Sequence, residues 1–65
     1  MTDYGKKVKV ALIERDKTIE WLTSQVNSLT GYSSDGSYIT NILAGRRKSP
    51  TIVKAINKIL NIEED

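Results

Sequence analysis

Apolar residues in this chain recur at steps of three and four, in four blocks separated by residues that cap or stop helices. No strand-like alternation of useful length interrupts them, and this pattern excludes a sheet. Val8, Ala11 and Leu12 mark the first block, and Val10 and Ile13 widen its stripe. Ile19, Leu22, Val26 and Leu29 form the second, with Trp21 and Gln25 beside them. Tyr38, Ile39, Ile42 and Leu43 form the third, and Ile52, Ala55, Ile56, Ile59 and Leu60 the fourth. The expected fold is all-α: a compact bundle of four, at most five, short helices in a single domain over residues 1–65.

Local chemistry sets the boundaries. Asp3 can cap a first helix from about Tyr4 to Arg15, in which Gly5 is a weak helix former and suggests close packing. Thr18 is a good N-cap for the second helix, and Glu20 suits the positive end of its dipole. Gly31 can stop that helix. Residues 30–37, TGYSSDGS, are turn chemistry throughout. Ser34 or Asp35 can cap the third helix, which should end near Ala44 with Gly45 left-handed. Ser49-Pro50 forces extended backbone. Thr51 can then cap the last helix, with Asn61 ending it and Ile62 folding back as an apolar clasp.

A chain of 65 residues buries only about 60% of the surface its unfolded form exposes. This one has neither cysteine nor histidine, so disulfides and the usual zinc sets are excluded. No cofactor is expected. No serine stands beside an evident activating base, and the glycines occur singly, unlike a phosphate-cradling loop. No enzyme is therefore expected. Without a membrane-length apolar run or a signal-type N-terminus, the chain reads as cytoplasmic.

The net charge of +2 hides an uneven distribution. Three of the eight acids are Glu63, Glu64 and Asp65 at the end. The cations gather at Lys6–Lys9, Arg15–Lys17 and Arg46–Lys48, whereas Trp21 to Ser34 carries no charge. An anionic partner is implied. The order helix, turn, short helix, basic loop, helix suits double-stranded DNA, because a short helix fits the major groove and flanking donors fix its register on phosphate. Ser37 and Asn41 share one face of the third helix while Ile39, Ile42 and Leu43 share another. Asparagine can bond adenine bidentately, and serine can bond several base edges. An ordinary polar helix face and a solvated C-terminal charge run account for the same residues without DNA.

The segments LIERDKTIEWLTSQV, SYITNILAGRRKSPT and IVKAINKILNI resemble the Cro/repressor-type helix-turn-helix proteins, the lambda-repressor-like or XRE family. The resemblance covers most of residues 8–62, and SYITNILAGRRKSPT carries it best. It implies a small Cro-like or repressor-like regulator of a phage or mobile element that reads an operator with the helix around residues 35–44. Gly36, Ser37 and Asn41 match base-reading positions, with Tyr38 and Thr40 at the margins. Thr18 matches the cap beside the DNA backbone, Ser34 or Asp35 the cap of the reading helix, and Arg46, Arg47 and Lys48 the backbone-contacting loop. Lys17 is a phosphate candidate on charge alone. A homodimer on DNA is implied by family habit.

The chain also departs from the family. Val26 and Ile39 are thirteen positions apart, a longer turn than the family's, so either the second helix gains a turn or the loop bulges. Gly36 offers no side chain where relatives often carry a base-reading amide. Leu12 and Leu43 stand where relatives often pair Arg with Glu, and both should lie in the core. The acidic C-terminal tail, residues 61–65 with Glu63, Glu64 and Asp65, should point away from DNA. A rival expectation is a protein-interaction module, an antirepressor or adaptor, using an apolar patch at Trp21, Leu29 and Tyr32.

Overall fold

The computed structural model of the chain describes residues 2–62. It holds four helices: α1 (Asp3–Glu14), α2 (Ile19–Thr30), α3 (Gly36–Leu43) and α4 (Pro50–Leu60). Helix α2 packs on α3 and α4, and α1 packs on the same two from another side. The all-α bundle expected from the apolar spacing is what forms. The acidic residues 63–65 lie outside the described residues.

One core holds the helices together. Val8, Leu22, Val26, Ile39, Leu43, Ile52, Ile56 and Leu60 are fully buried in it. Burying each such side chain contributes about 1.5–3 kcal/mol relative to leaving it exposed. Leu12 and Leu43 both belong to this core, on helices that pack together. Gly5 is buried as well.

The helix ends follow local chemistry, with two corrections. Thr2, not Asp3, caps α1: its hydroxyl oxygen accepts from the Gly5 amide at 3.0 Å and donates to the Leu43 carbonyl at 2.8 Å. Asp3 sits one position later, inside the first turn, where its charge meets the positive dipole end. Ser49, not Thr51, precedes α4, and Pro50 is its first residue. Proline suits that position because its φ is preset and its missing N–H would lack a helical partner anyway.

Three helices end in the same left-handed closure. Lys17 N–H donates to the Leu12 carbonyl, Arg46 N–H to Asn41 and Ile62 N–H to Asn57, each at 2.9 Å. The residues between, Asp16, Gly45 and Asn61, have φ of 57°, 84° and 56°. Glycine and asparagine take that conformation most readily, and aspartate tolerates it. At Asn61 the closure brings Ile62 back against the core, the clasp anticipated from sequence.

Helix α2 runs on to Thr30 and stops at Gly31, φ 79°. The lengthened connection from Val26 is thus extra helix over residues 27–30, followed by residues 31–35 outside any helix or strand. Leu29, expected on the buried face, is 48% exposed because it lies on the part of α2 that outruns the core. Val10 and Ile13 on α1 are likewise outward, so the buried stripe of that helix is narrower than its apolar content suggests.

Candidate nucleic-acid interface

Helix α3 begins with a strong cap. Asp35 is extended, and its carboxylate accepts from the Tyr38 amide at 2.8 Å. Of the two cap candidates, Asp35 fills the role. Ser34 does something else. Its N–H donates to Asn27 Oδ1 at 2.9 Å, and its carbonyl accepts from Asn27 Nδ2 at 2.8 Å. The Asn27 amide thereby closes a paired bond across the turn, as a neighbouring strand would. This clamp fixes the residue that leads into the Asp35 cap, and so fixes where α3 starts relative to α2.

Side chains on α3 divide by face. Ile39, Ile42 and Leu43 are buried, whereas Ser37 and Thr40 are exposed and Asn41 is half-buried. Gly36, Ser37, Thr40 and Asn41 open onto one depression of about 730 Å³. Its other wall comes from Ile19 and Glu20 in the first turn of α2, with Asp35 at the rim. Four of the sequence-predicted base readers thus share one concavity.

Tyr38 faces elsewhere. It lines a second depression with Tyr32, Ser33, Ser34 and Asp35 on the far side of the α3 start. The Arg47 guanidinium lies over its ring, 5.7 Å from the centroid. Such stacking is worth about 0.5–1 kcal/mol at an exposed site. Arg46 Nη1 approaches Asn41 Oδ1 at 3.5 Å, a long and weak bond that still ties the basic loop to the α3 polar face. Lys48 lies beside Arg47 along a groove toward Tyr4 and Val53. Arg46 thus lies by Asn41 and Arg47 by Tyr38, while Lys48 shares a groove with Arg47.

The two remaining phosphate candidates have internal roles too. Thr18 accepts from the Trp21 amide at 3.1 Å as the α2 cap. Lys17 places its ammonium 5.3 Å from the Trp21 ring centroid. Trp21 is half-buried against the core, so in the rival patch only Leu29 and Tyr32 are substantially exposed, 48% each.

Ile19, Glu20 and Asn27 were not anticipated as site residues. Ile19 looks like a core residue and Glu20 like a dipole partner. The signal for Asn27 was its helix position opposite a polar turn, since asparagine is a poor interior helix residue unless its amide is used. Among the described residues no group of three or more acids is placed to hold a metal ion. None of their helices is long and apolar enough to cross a membrane.

Comparisons with protein-family models, curated proteins and solved structures return no match.

Proposed function

We propose that this chain is a sequence-specific DNA-binding regulator, Cro-like or repressor-like, that lays α3 in the major groove of an operator. One observation carries the reading. The outward residues Gly36, Ser37, Thr40 and Asn41 share a single concavity, and Arg46 and Arg47 follow directly at the end of the same helix. Short polar groups that can meet base edges are thus flanked by cations that can meet phosphate. Arg15 does not belong to the phosphate set, because Nη1 donates to the Ala11 carbonyl and Nη2 to that of Leu60.

Selection from a random DNA pool, followed by binding isotherms at several salt concentrations, tests the proposal. With Lys17, Arg46, Arg47 and Lys48 on phosphate, log Kd should change with log salt at a slope of about 3.6 per protein copy. Each of Arg46→Ala and Arg47→Ala should lower that slope by about 1. A flat salt response, or no preferred sequence, refutes it.

The exposed pair Leu29 and Tyr32 supports a second reading, a protein-interaction module of the same fold. In that case Arg46→Ala and Arg47→Ala leave activity intact, while Leu29→Ala or Tyr32→Ala abolishes it.

A further inference from the structure

Gly36 poses a question that the fold does not answer. Its φ is not positive, so no turn demands glycine. A Cβ built there would meet only the Ile19 Cγ2 methyl, at 3.8 Å, an ordinary van der Waals contact. Gly31 and Gly45, by contrast, have φ of 79° and 84°. Gly36 is the first residue of α3, so it escapes most of the cost that glycine carries in a helix interior. At position 36, then, nothing inside the molecule asks for glycine.

The outside of the molecule does give a reason. Gly36 is the saddle between two depressions along α2. One is lined by Ile19, Ser37, Thr40 and Asn41, the other by Thr23, Asn27 and Ser28, and both include Glu20. The missing side chain leaves the Ile19 methyl as a small apolar floor in an otherwise polar surface. Glu20 at its edge repels phosphate, so an occupant from DNA would be a base edge rather than the backbone. The one apolar group that a base presents in the major groove is the thymine 5-methyl.

We propose that the Gly36 saddle is a thymine slot, in which the 5-methyl rests on Ile19 Cγ2 while Ser37 and Asn41 bond the adjoining base edges. The inference rests on the DNA-binding reading and adds the base that is read. Specificity at this position comes from an absent side chain and a residue of the preceding helix.

The test uses the selected operator with each thymine replaced singly by deoxyuridine, which removes only the methyl. Fluorescence anisotropy gives Kd for the wild type and for Gly36→Ala. At one thymine per protein copy the wild type should lose about fourfold in affinity, the equivalent of one buried methyl group. In Gly36→Ala the added Cβ fills the saddle, and the difference between thymine and uracil there should fall below about twofold. The variant should melt close to the wild type, because its Cβ makes no tight contact. The uracil scan on the wild type stands even without the variant. Steep salt dependence with no uracil-sensitive position, or an undiminished loss in a folded Gly36→Ala, overturns the slot alone. Absence of salt-dependent, sequence-selective binding overturns the DNA reading and the slot with it.

Discussion

Replacing Asn27 by alanine removes the clamp that sets the turn before α3. Two bonds vanish, Nδ2 to the Ser34 carbonyl at 2.8 Å and the Ser34 amide to Oδ1 at 2.9 Å. Partly buried amide bonds of this kind contribute about 0.5–1.5 kcal/mol each, so about 2 kcal/mol is lost in total. Alanine returns about 0.5 kcal/mol through its better helix propensity. The net destabilisation is about 1.5 kcal/mol, which in a domain of this size lowers Tm by about 6–12 °C. Asn27→Asp keeps an acceptor for the Ser34 amide but sets a carboxylate oxygen against the Ser34 carbonyl, so it should destabilise at least as much. Thermal melts by circular dichroism give the global effect, and amide hydrogen exchange at Ser34 gives the local one. In the wild type that amide should be protected, and in Asn27→Ala it should exchange by local opening while the core amides of α2 and α4 stay slow. Unchanged Tm together with continued protection at Ser34 would refute the clamp.

Gly45→Ala should destabilise by about 2 kcal/mol in urea unfolding, from left-handed backbone strain plus a Cβ only 2.9 Å from Thr2 Cγ2. Gly31→Ala, whose Cβ would meet nothing, should cost only the strain, about 1 kcal/mol; equal losses at the two positions would contradict the Thr2 contact. Leu43→Ala empties a fully buried site and should cost about 2–5 kcal/mol, comparable to the whole stability of so small a core. Loss of the helical circular dichroism signal near 37 °C would follow, and a variant that melts like the wild type would show that Leu43 is not central.

What the sequence made legible was what neighbours decide. Thr18 before Ile19, Gly31 after Thr30, Gly45 after Ala44 and Asn61 before Ile62 are helix boundaries written in adjacent residues, and each bounds a helix in the fold. The α4 start could have been read better: the residue before proline is held extended, which is the conformation an N-cap takes, so Ser49 had the stronger claim than Thr51. Thr2 was harder, because its second partner is the Leu43 carbonyl, 41 positions away. Leu29 carries the right spacing yet lies beyond the core, since periodicity reports a face and not whether anything covers it. Within the candidate site, the α3 residues were legible from polarity and spacing. Ile19 and Glu20 were not, because their part depends on how α2 is set against α3, and the Asn27 clamp that sets it spans the turn.

The cations can now be ranked by what their side chains already do. Arg15 has both terminal nitrogens on carbonyls, one at the C-terminal end of α4, where a positive charge also suits the dipole. Recruiting it to phosphate would break two bonds, one of them to the last residue of α4. Arg47 is engaged in the opposite way. Its guanidinium carbon lies over the Tyr38 ring, 5.7 Å from the centroid, and no hydrogen bond to another described residue engages its donors. The ring therefore restrains the side chain while its donors stay uncommitted, and in the proposed complex Arg47 loses less side-chain freedom on binding than a cation without such a contact does. Tyr38 then has no need to touch a base itself: its contribution to affinity runs through Arg47. Tyr38→Leu should weaken binding in the wild type and have little further effect in Arg47→Ala, whereas a tyrosine that touches DNA directly would weaken binding equally in both backgrounds.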